Sequence, residues 1–483
     1  MKKGLLLAIL LEILILIVVF AFMLNPPGDP DLGWHLRYGQ YFWQTGKVLT
    51  NDIFSSTLPN YYWVNPSWGY EVILYPLFRT FGFMGLSIWG SVTVTLAFIF
   101  MTVAYKVRPW LKMLLIPPYL LLGYGVVWVG MRAQLDSILG IAIVYFLISK
   151  KKFFYLPFVF LIWANLHGGF ILGLFIWSIF LGWRIVLGFR DTEQRRELIT
   201  EACVFAVSIL ACLINPFTYN VFTEDIKHAA SPLIKAYVTE WQPIDPGSLI
   251  QNSFYIYSAI VMFMSAYILI KDWRKFSPHV LIATAFFYLT LDSRRYLIIY
   301  TLISIPIALI FFKQIQDVLA PKIHRVLNQL ALAIALMLLC YAFFVRLPSF
   351  NLTTFDWNTY CSQYPGSGCS EKLAAFLNKN TPQGKGFNDY NLGGYLLWRV
   401  PKIKTFTDTR MALWQENGVY PFEDFINIYF KQDWVNAFEK QNFSWAIAAP
   451  NTNLDDYLST LAKVGQWKEE YRDSQAAYYV RLR

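Results

Sequence analysis

The sequence predicts a polytopic α-helical membrane protein of about eleven transmembrane helices with a small C-terminal extracytoplasmic α/β domain. Three observations predict it. The chain has 483 residues, is 56% hydrophobic and 15% charged, and has a mean hydropathy of +0.40, whereas soluble domains carry roughly 25% charged residues. Its apolar residues gather in runs of about the length that spans a bilayer. Its basic residues gather in every second loop between those runs, as the positive-inside rule requires. The net charge of +10 follows from that rule and calls for no nucleic-acid partner. Five cysteines are too few for a disulfide scaffold, and the apolar content excludes a disordered or collagenous chain.

The first run, Gly4 to Leu24, follows Lys2 and Lys3 and continues into Asn25-Pro26-Pro27. It has no small-residue cleavage site and reads as a retained helix, not a signal peptide. Further runs lie near 83–105, 112–129, 135–149, 153–164, 169–188, 198–213, 254–270, 278–291, 296–312 and 327–345. Basic clusters at Lys2/Lys3, Lys106/Arg108/Lys112, Lys150/Lys151/Lys152, Arg190/Arg195/Arg196, Lys271/Arg274/Lys275 and Lys313/Lys322/Arg325 mark the cytoplasmic loops. The N-terminus is then cytoplasmic and everything after about Arg346 lies outside, which divides the chain into a transmembrane domain, 1–345, and an extracytoplasmic domain, 346–483.

The first outer loop, 25–82, is long, with amphipathic stretches at Leu32 to Trp43 and Trp68 to Phe81 suited to the membrane surface. The loop from Asn215 to Ser253 is similar. In the C-terminal domain the pattern predicts a helix at 370–378, strands near 402–408 and at 443–450, a helix at 454–464, and alternating strands at 467–472 and 476–482.

Polar residues of unusual kind collect on the predicted outer side: GDPDLGWH (28–35), Glu71, RAQ (132–134), NLHGG (165–169), NPF (215–217), EWQP (240–243) and DSRR (292–295). Ionisable groups at membrane depth are expensive and usually face a protein cavity, so this one-sided collection points to a site near the outer leaflet. A transporter or proton relay should also place them at the midplane and inner half, and this sequence does not. Asp29 and Asp31 flank Pro30 and admit two readings: a capped turn, or a general base or oxygen ligands for a divalent cation such as Mg or Mn. Cys361 and Cys369, eight apart across a Pro-Gly-Ser-Gly turn, are placed for a small loop disulfide in an oxidising compartment. No HExxH, Walker loop or GxSxG is present, so zincin, P-loop and nucleophile-elbow chemistry have no support.

The arrangement of a hydrophobic first helix, an acidic first outer loop, about ten further spans and an outer C-terminal domain resembles the GT-C superfamily of polyprenyl-phosphate-sugar-dependent glycosyltransferases. DPDLGWHLRYG, WGYE (68–71), WANLHGGF (163–170), EWQP, SRRY (293–296), FNDYNLGGYLLW (387–398) and TFTDTR (405–410) resemble more closely a largely uncharacterised prokaryotic membrane family of that superfamily. The resemblance implies an inverting transfer of sugar from a polyprenyl-phosphate donor to a lipid, polysaccharide or protein acceptor, on the outer side of the cytoplasmic (inner) membrane. It makes Asp29 or Asp31 the base that deprotonates the acceptor hydroxyl, with the first acidic residue favoured. Arg294 and Arg295, then Arg132, are candidates for the lipid phosphate, because a guanidinium is always charged and binds oxyanions in a fork. His35, Glu71, Asn165, His167, Glu240 and Trp241 are candidate substrate contacts. Each also has a structural reading, as a helix cap, interhelical turn or interfacial residue. Whether the acidic pair uses a metal is left open. Two rival functions stand beside this one: a non-catalytic membrane protein that binds a glycan or lipid on the same scaffold, and a transporter or flippase.

Overall fold

A computed structural model describes residues 2–128, 130–188, 192–349 and 357–482. Arg190, one of the basic residues that mark the orientation, lies outside them, and so do the side chains of Lys2 and Lys3. Every apolar run read from the sequence falls on helix. Among the described residues, six helices are long and apolar enough to cross a membrane: Leu5–Met23, Trp68–Val103, Phe170–Leu187, Leu249–Asp292, Arg294–Gln316 and Pro321–Ser349. These six are selected by length and composition, and the other expected runs fall on helices that are kinked, short or charged at one end, with the 112–129 run divided between Pro109–Met113 and Ile116–Val127. Leu249–Asp292 covers two of the expected runs with two helices that meet at a kink at the non-helical Asp272. Gln134–Ser149 and Phe153–Trp163 are apolar but short, and Thr192–Cys212 opens on the charged TEQRRE.

The chain divides into two compact units. One holds residues 1–26, 84–225 and 234–352; the other holds 27–83, 226–233 and 353–483. The first long polar loop therefore belongs with the C-terminal segment.

The first unit is a helical assembly. Leu297–Gln316 is apolar around its whole circumference and is buried on nearly every side. It packs chiefly against Leu249–Asp292 and Ile116–Val127. The short turn Arg294–Tyr296 leads directly into it, so this most buried helix fixes the position of the SRRY segment.

The second unit has a four-stranded sheet of order β1-β2-β4-β3, with β1 Gly386–Phe387, β2 Trp445–Ala448, β3 Trp467–Arg472 and β4 Ala477–Arg481. β1 and β2 are parallel and the other pairs antiparallel. The strand expected near 402–408 is absent. Its place in the sheet is taken by β1, while Thr405 makes a single bridge to Ser55. That segment spends its hydrogen bonds on the polar loop instead: Ser56 N donates to Thr405 O at 2.9 Å and Thr405 N to Phe54 O at 3.0 Å.

Within this unit the helix Leu32–Thr45 packs on Gly393–Arg399. The approach is backbone to backbone, since a Cβ on Gly33 would lie 2.0 Å from Gly394 O and one on Gly394 would lie 2.3 Å from Pro30 O. An aromatic core of Trp34, Tyr38, Trp63, Met411 and Trp414 joins the two segments. Cys361 and Cys369 are joined by a disulfide.

Candidate functional site

The motifs singled out in the sequence sort into two clusters, one in each unit. In the second unit, Asp29 is almost fully buried, and its Oδ1 accepts the Asp31 amide at 2.9 Å, forming an Asx turn across Pro30. Asp31 stands at the N-cap of Leu32–Thr45, makes no side-chain cap bond and is half-buried. The capped-turn geometry therefore belongs to Asp29, and Asp31 keeps the more accessible carboxylate.

One turn into the helix, His35 Nδ1 lies 2.9 Å from Glu71 Oε1. Asn65 Nδ2 donates to both Glu71 oxygens, at 2.9 and 2.8 Å, and Asn65 is itself oriented by the Ser67 amide at 3.0 Å. His35, Glu71 and Asn65 are all buried. They form a polar chain that ties the WGYE segment to the DPDLGWH segment, with His35 held between Trp34 and Tyr70. Among the described residues, no three His, Cys, Asp or Glu side chains are grouped as a metal site.

Sequence reasoning passed over a second feature of this unit. Arg410 is fully buried, donates from Nε and Nη2 to Asp408 at 2.8 and 2.7 Å, and donates from Nη1 to Asp52 at 2.7 Å. Phe54, Trp63 and Trp414 surround the guanidinium, with ring centroids 5.0 to 5.4 Å away. The signal was the TFTDTR segment itself, whose Asp and Arg stand two apart.

In the first unit the candidates converge on Glu240. Its carboxylate lies 3.0 Å from Arg132 Nη1 and also pairs with Arg295 Nη1. Arg295 stacks over Trp241, 4.8 Å from the ring centroid. The Glu240 side chain is 29% exposed, against 14% for Arg132 and 20% for Arg295. Burial alone would raise the Glu240 carboxyl, but Arg132 and Arg295 outweigh it and hold it down to about 2. Two guanidiniums thus share the Glu240 carboxylate, and Arg295 also acts electrostatically on Asp225. Arg294 stands apart from its neighbour: its Nε donates to Pro243 O at 3.0 Å and its amide to Gln242 O at 3.0 Å.

His167 lies in the turn between Leu156–Trp163 and Phe170–Leu187. Its Nδ1 accepts the Gly169 amide at 3.0 Å and lies 2.7 Å from Ser137 Oγ. Trp163 Nε1 donates to that same Oγ at 2.9 Å, so the Ser137 hydroxyl hydrogen points to Nδ1. The network assigns the ring proton to Nε2. Burial, then Arg295 and Arg132, push the imidazole down to about 3, so it is neutral near pH 7. Trp163 is seated on two glycines, since a Cβ on either Gly140 or Gly173 would come within 2.5 Å of its ring.

Asp225, which sequence reasoning missed, places both carboxylate oxygens where a Cβ on Gly168 would stand, 2.0 Å away. Burial and Glu224 raise its carboxyl to about 7, with Arg295 acting against them. Asn165 does a different job: its Nδ2 donates to Leu161 O at 2.8 Å and Ile214 O at 2.9 Å, fastening the helix end.

No family model and no curated protein matches the chain by sequence. Solved structures do match it. The chain is similar to the apo oligosaccharyltransferase of Archaeoglobus fulgidus, with a TM-score of 0.54 and 11% sequence identity, over 91% of this chain and 69% of that one. It is similar also to ArnT from Cupriavidus metallidurans, a structure bound to undecaprenyl phosphate, with a TM-score of 0.50 and 14% identity over 98% of this chain and 97% of that one. Both neighbours belong to the GT-C superfamily. At these identities the likeness is one of fold, and at that level the resemblance read in the sequence holds.

Proposed function

We propose that this protein is an inverting glycosyltransferase that moves a sugar from a polyprenyl-phosphate donor to an acceptor hydroxyl on the outer side of the cytoplasmic membrane, with its N-terminus in the cytoplasm. The observation that carries the reading is the Arg132–Glu240–Arg295 cluster, a partly exposed group in which two guanidiniums share one carboxylate beside a neutral histidine. An anion is its natural ligand, and the GT-C fold, which one neighbour displays with undecaprenyl phosphate bound, supports a lipid phosphate as that anion.

In the proposed reaction Asp31 accepts the proton of the acceptor hydroxyl. The oxygen then attacks the anomeric carbon, and the bond from that carbon to the phosphate oxygen breaks with its electron pair going to the lipid phosphate. The roles are assigned unit by unit: Asp31 as base in the second, and in the first Arg132 and Arg295 as the groups that offset charge on the lipid phosphate, with His167 Nε2–H a neutral donor beside them. Asp31 takes the role of base because its carboxylate is half-buried, whereas that of Asp29 is almost fully buried and turned back onto the Asp31 amide.

The test compares glycans and glycolipids by mass spectrometry in cells that carry the parental gene, Asp31→Asn, Asp29→Asn or no gene. General-base contributions are about 100- to 10,000-fold, so Asp31→Asn should reproduce the gene-less profile at equal protein level, and Asp29→Asn should retain product. Parental profiles in both variants would end the catalytic reading of this loop.

A further inference from the structure

The C-terminal part of the second unit holds a cavity of about 150 Å³ that none of the chemistry above uses. It opens beyond the carboxyl ends of the parallel strands β1 and β2, the edge at which open α/β sheets take their ligands. Asp389, two residues past β1, lines it with a carboxylate that is 6% exposed. Its Oδ1 accepts the Asn391 amide at 2.8 Å, which fixes the group in place.

On another side stand Tyr429, which is exposed, and Trp434, which is half-buried. Tyr429 is oriented by its hydroxyl bond to Gly366 O at 2.7 Å, and Trp434 by an edge contact with Tyr457 at 5.5 Å. Ile428, Ile447 and Ala448 supply apolar lining, while Ser367 and Asn453 add neutral polar groups.

We propose that this cavity is a carbohydrate-binding pocket that takes one neutral pyranose ring. Size, wall and charge all point that way. The volume is that of about five waters at their liquid share of roughly 30 Å³ each, small beside the several hundred Å³ of a drug-sized site. A pyranose presents a C–H face and a rim of hydroxyls, and the lining pairs aromatic and aliphatic walls with a fixed acceptor. Its lining, all within the described residues, holds one carboxyl, raised by burial to about 7, and no Lys or Arg, so a phosphate or a uronic acid would find no cation there.

The helix Asn453–Lys463 begins at the pocket but offers little to an anion. Thr452 Oγ1 caps the Asp455 amide, and Asp455 and Asp456 occupy the first turn. The pocket is argued from its own lining and stands or falls apart from the transferase reading.

The test uses full-length protein in phosphatidylcholine nanodiscs, which avoids sugar-headed detergents. The probes are the methyl α-glycosides of glucose, mannose and galactose, with glucuronate and glucose 1-phosphate as anionic controls, followed by saturation-transfer NMR and calorimetry. At least one neutral glycoside should bind saturably, with transfer strongest at the ring C–H positions, and the anions should bind about tenfold more weakly or worse. Asp389→Asn should weaken binding by about tenfold, the low end for a hydrogen bond to a charged group. Trp434→Ala removes a half-buried side chain and should abolish binding with the unfolding temperature unchanged, which keeps the test decisive if Asp389→Asn does not fold. Absence of binding by all three neutral glycosides, equal binding of the anions, or undiminished binding in Trp434→Ala would each overturn the proposal.

Discussion

Arg294 and Arg295 are neighbours in sequence and indistinguishable there, yet their surroundings predict opposite consequences for the same substitution. Arg295 shares Glu240 with Arg132 and lies over Trp241, whereas Arg294 donates to the Pro243 carbonyl. Lysine in place of Arg295 or Arg132 keeps the charge and loses the planar fork. The loss is one charge-assisted contact, about 1.5 to 3 kcal/mol, and at about 1.4 kcal/mol per decade this is roughly a 10- to 150-fold weaker Kd. For Arg295 the stack on Trp241 adds about 0.5 to 1 kcal/mol, so Arg295→Lys should be the weaker binder of the two. Arg294→Lys should stay within about threefold, as surface substitutions do. The assay is equilibrium binding of labelled undecaprenyl phosphate to purified protein, with unfolding temperature as the control for folding. Equal losses in Arg294→Lys and Arg295→Lys, or unchanged Kd in both Arg295→Lys and Arg132→Lys, would refute the assignment of the Glu240 cluster to phosphate.

Three further outcomes follow from the geometry. Arg410→Met leaves the Asp52 and Asp408 carboxylates buried without their cation and should cost about 3 to 5 kcal/mol, read as a lower unfolding temperature in purified protein; an unchanged temperature would show that the pair is solvated. Gly33→Ala places a methyl against the Gly394 carbonyl and should destabilise by about 1 to 3 kcal/mol or more, a loss that Gly125→Ala, with open space around it, should not show. Asp225 carries a carboxyl raised from 3.8 to about 7, so the folded state holds its proton where the unfolded state has released it, and stability falls as pH rises through that interval. Asp225→Asn should therefore match the parent near pH 4 and exceed it near pH 8 in unfolding temperature; a constant difference at both pH values would remove the buried carboxyl as the cause.

The helices and much of the site were legible because their signals are local. Apolar runs specify helix whatever they pack against, and the Pro between Asp29 and Asp31 marks a turn in any fold. The strand at 402–408 was misread because Lys402 to Asp408 alternates like an edge strand, while its partners lie some 350 residues earlier, at Phe54 to Thr57. Where one span ends and the next begins is less legible, because the runs 254–270 and 278–291 lie on two helices that join directly at the kink of Asp272. Asp225 was passed over for the same kind of reason. Its meaning comes from Gly168 and Arg295, which no spacing within the helix Asn220–Ala230 announces. Pairing among Arg132, Glu240 and Arg295 was only half visible: three loops each carried an ionisable residue, but which arginine met the carboxylate depended on the turn at Arg294–Tyr296.

The two arginine clusters show how structural and ligand-binding charge can be told apart. Arg410 faces two carboxylates, is fully buried and is enclosed by three aromatic rings, so its cluster is one charge negative and has no accessible surface. Such a group stabilises a fold by joining two chain segments and can recruit nothing. Around Glu240 the arrangement differs: one carboxylate serves two guanidiniums, and each side chain keeps some exposure. A carboxylate offers about four acceptor positions and a guanidinium five donors, so Glu240 can hold both arginines in position but cannot neutralise them. Full neutralisation would remove the attraction for an anion, and the absence of any carboxylate would leave two like charges to repel each other apart. A single shared carboxylate keeps the pair assembled, and under the proposed function the guanidinium donors it leaves over are those that would meet a phosphate.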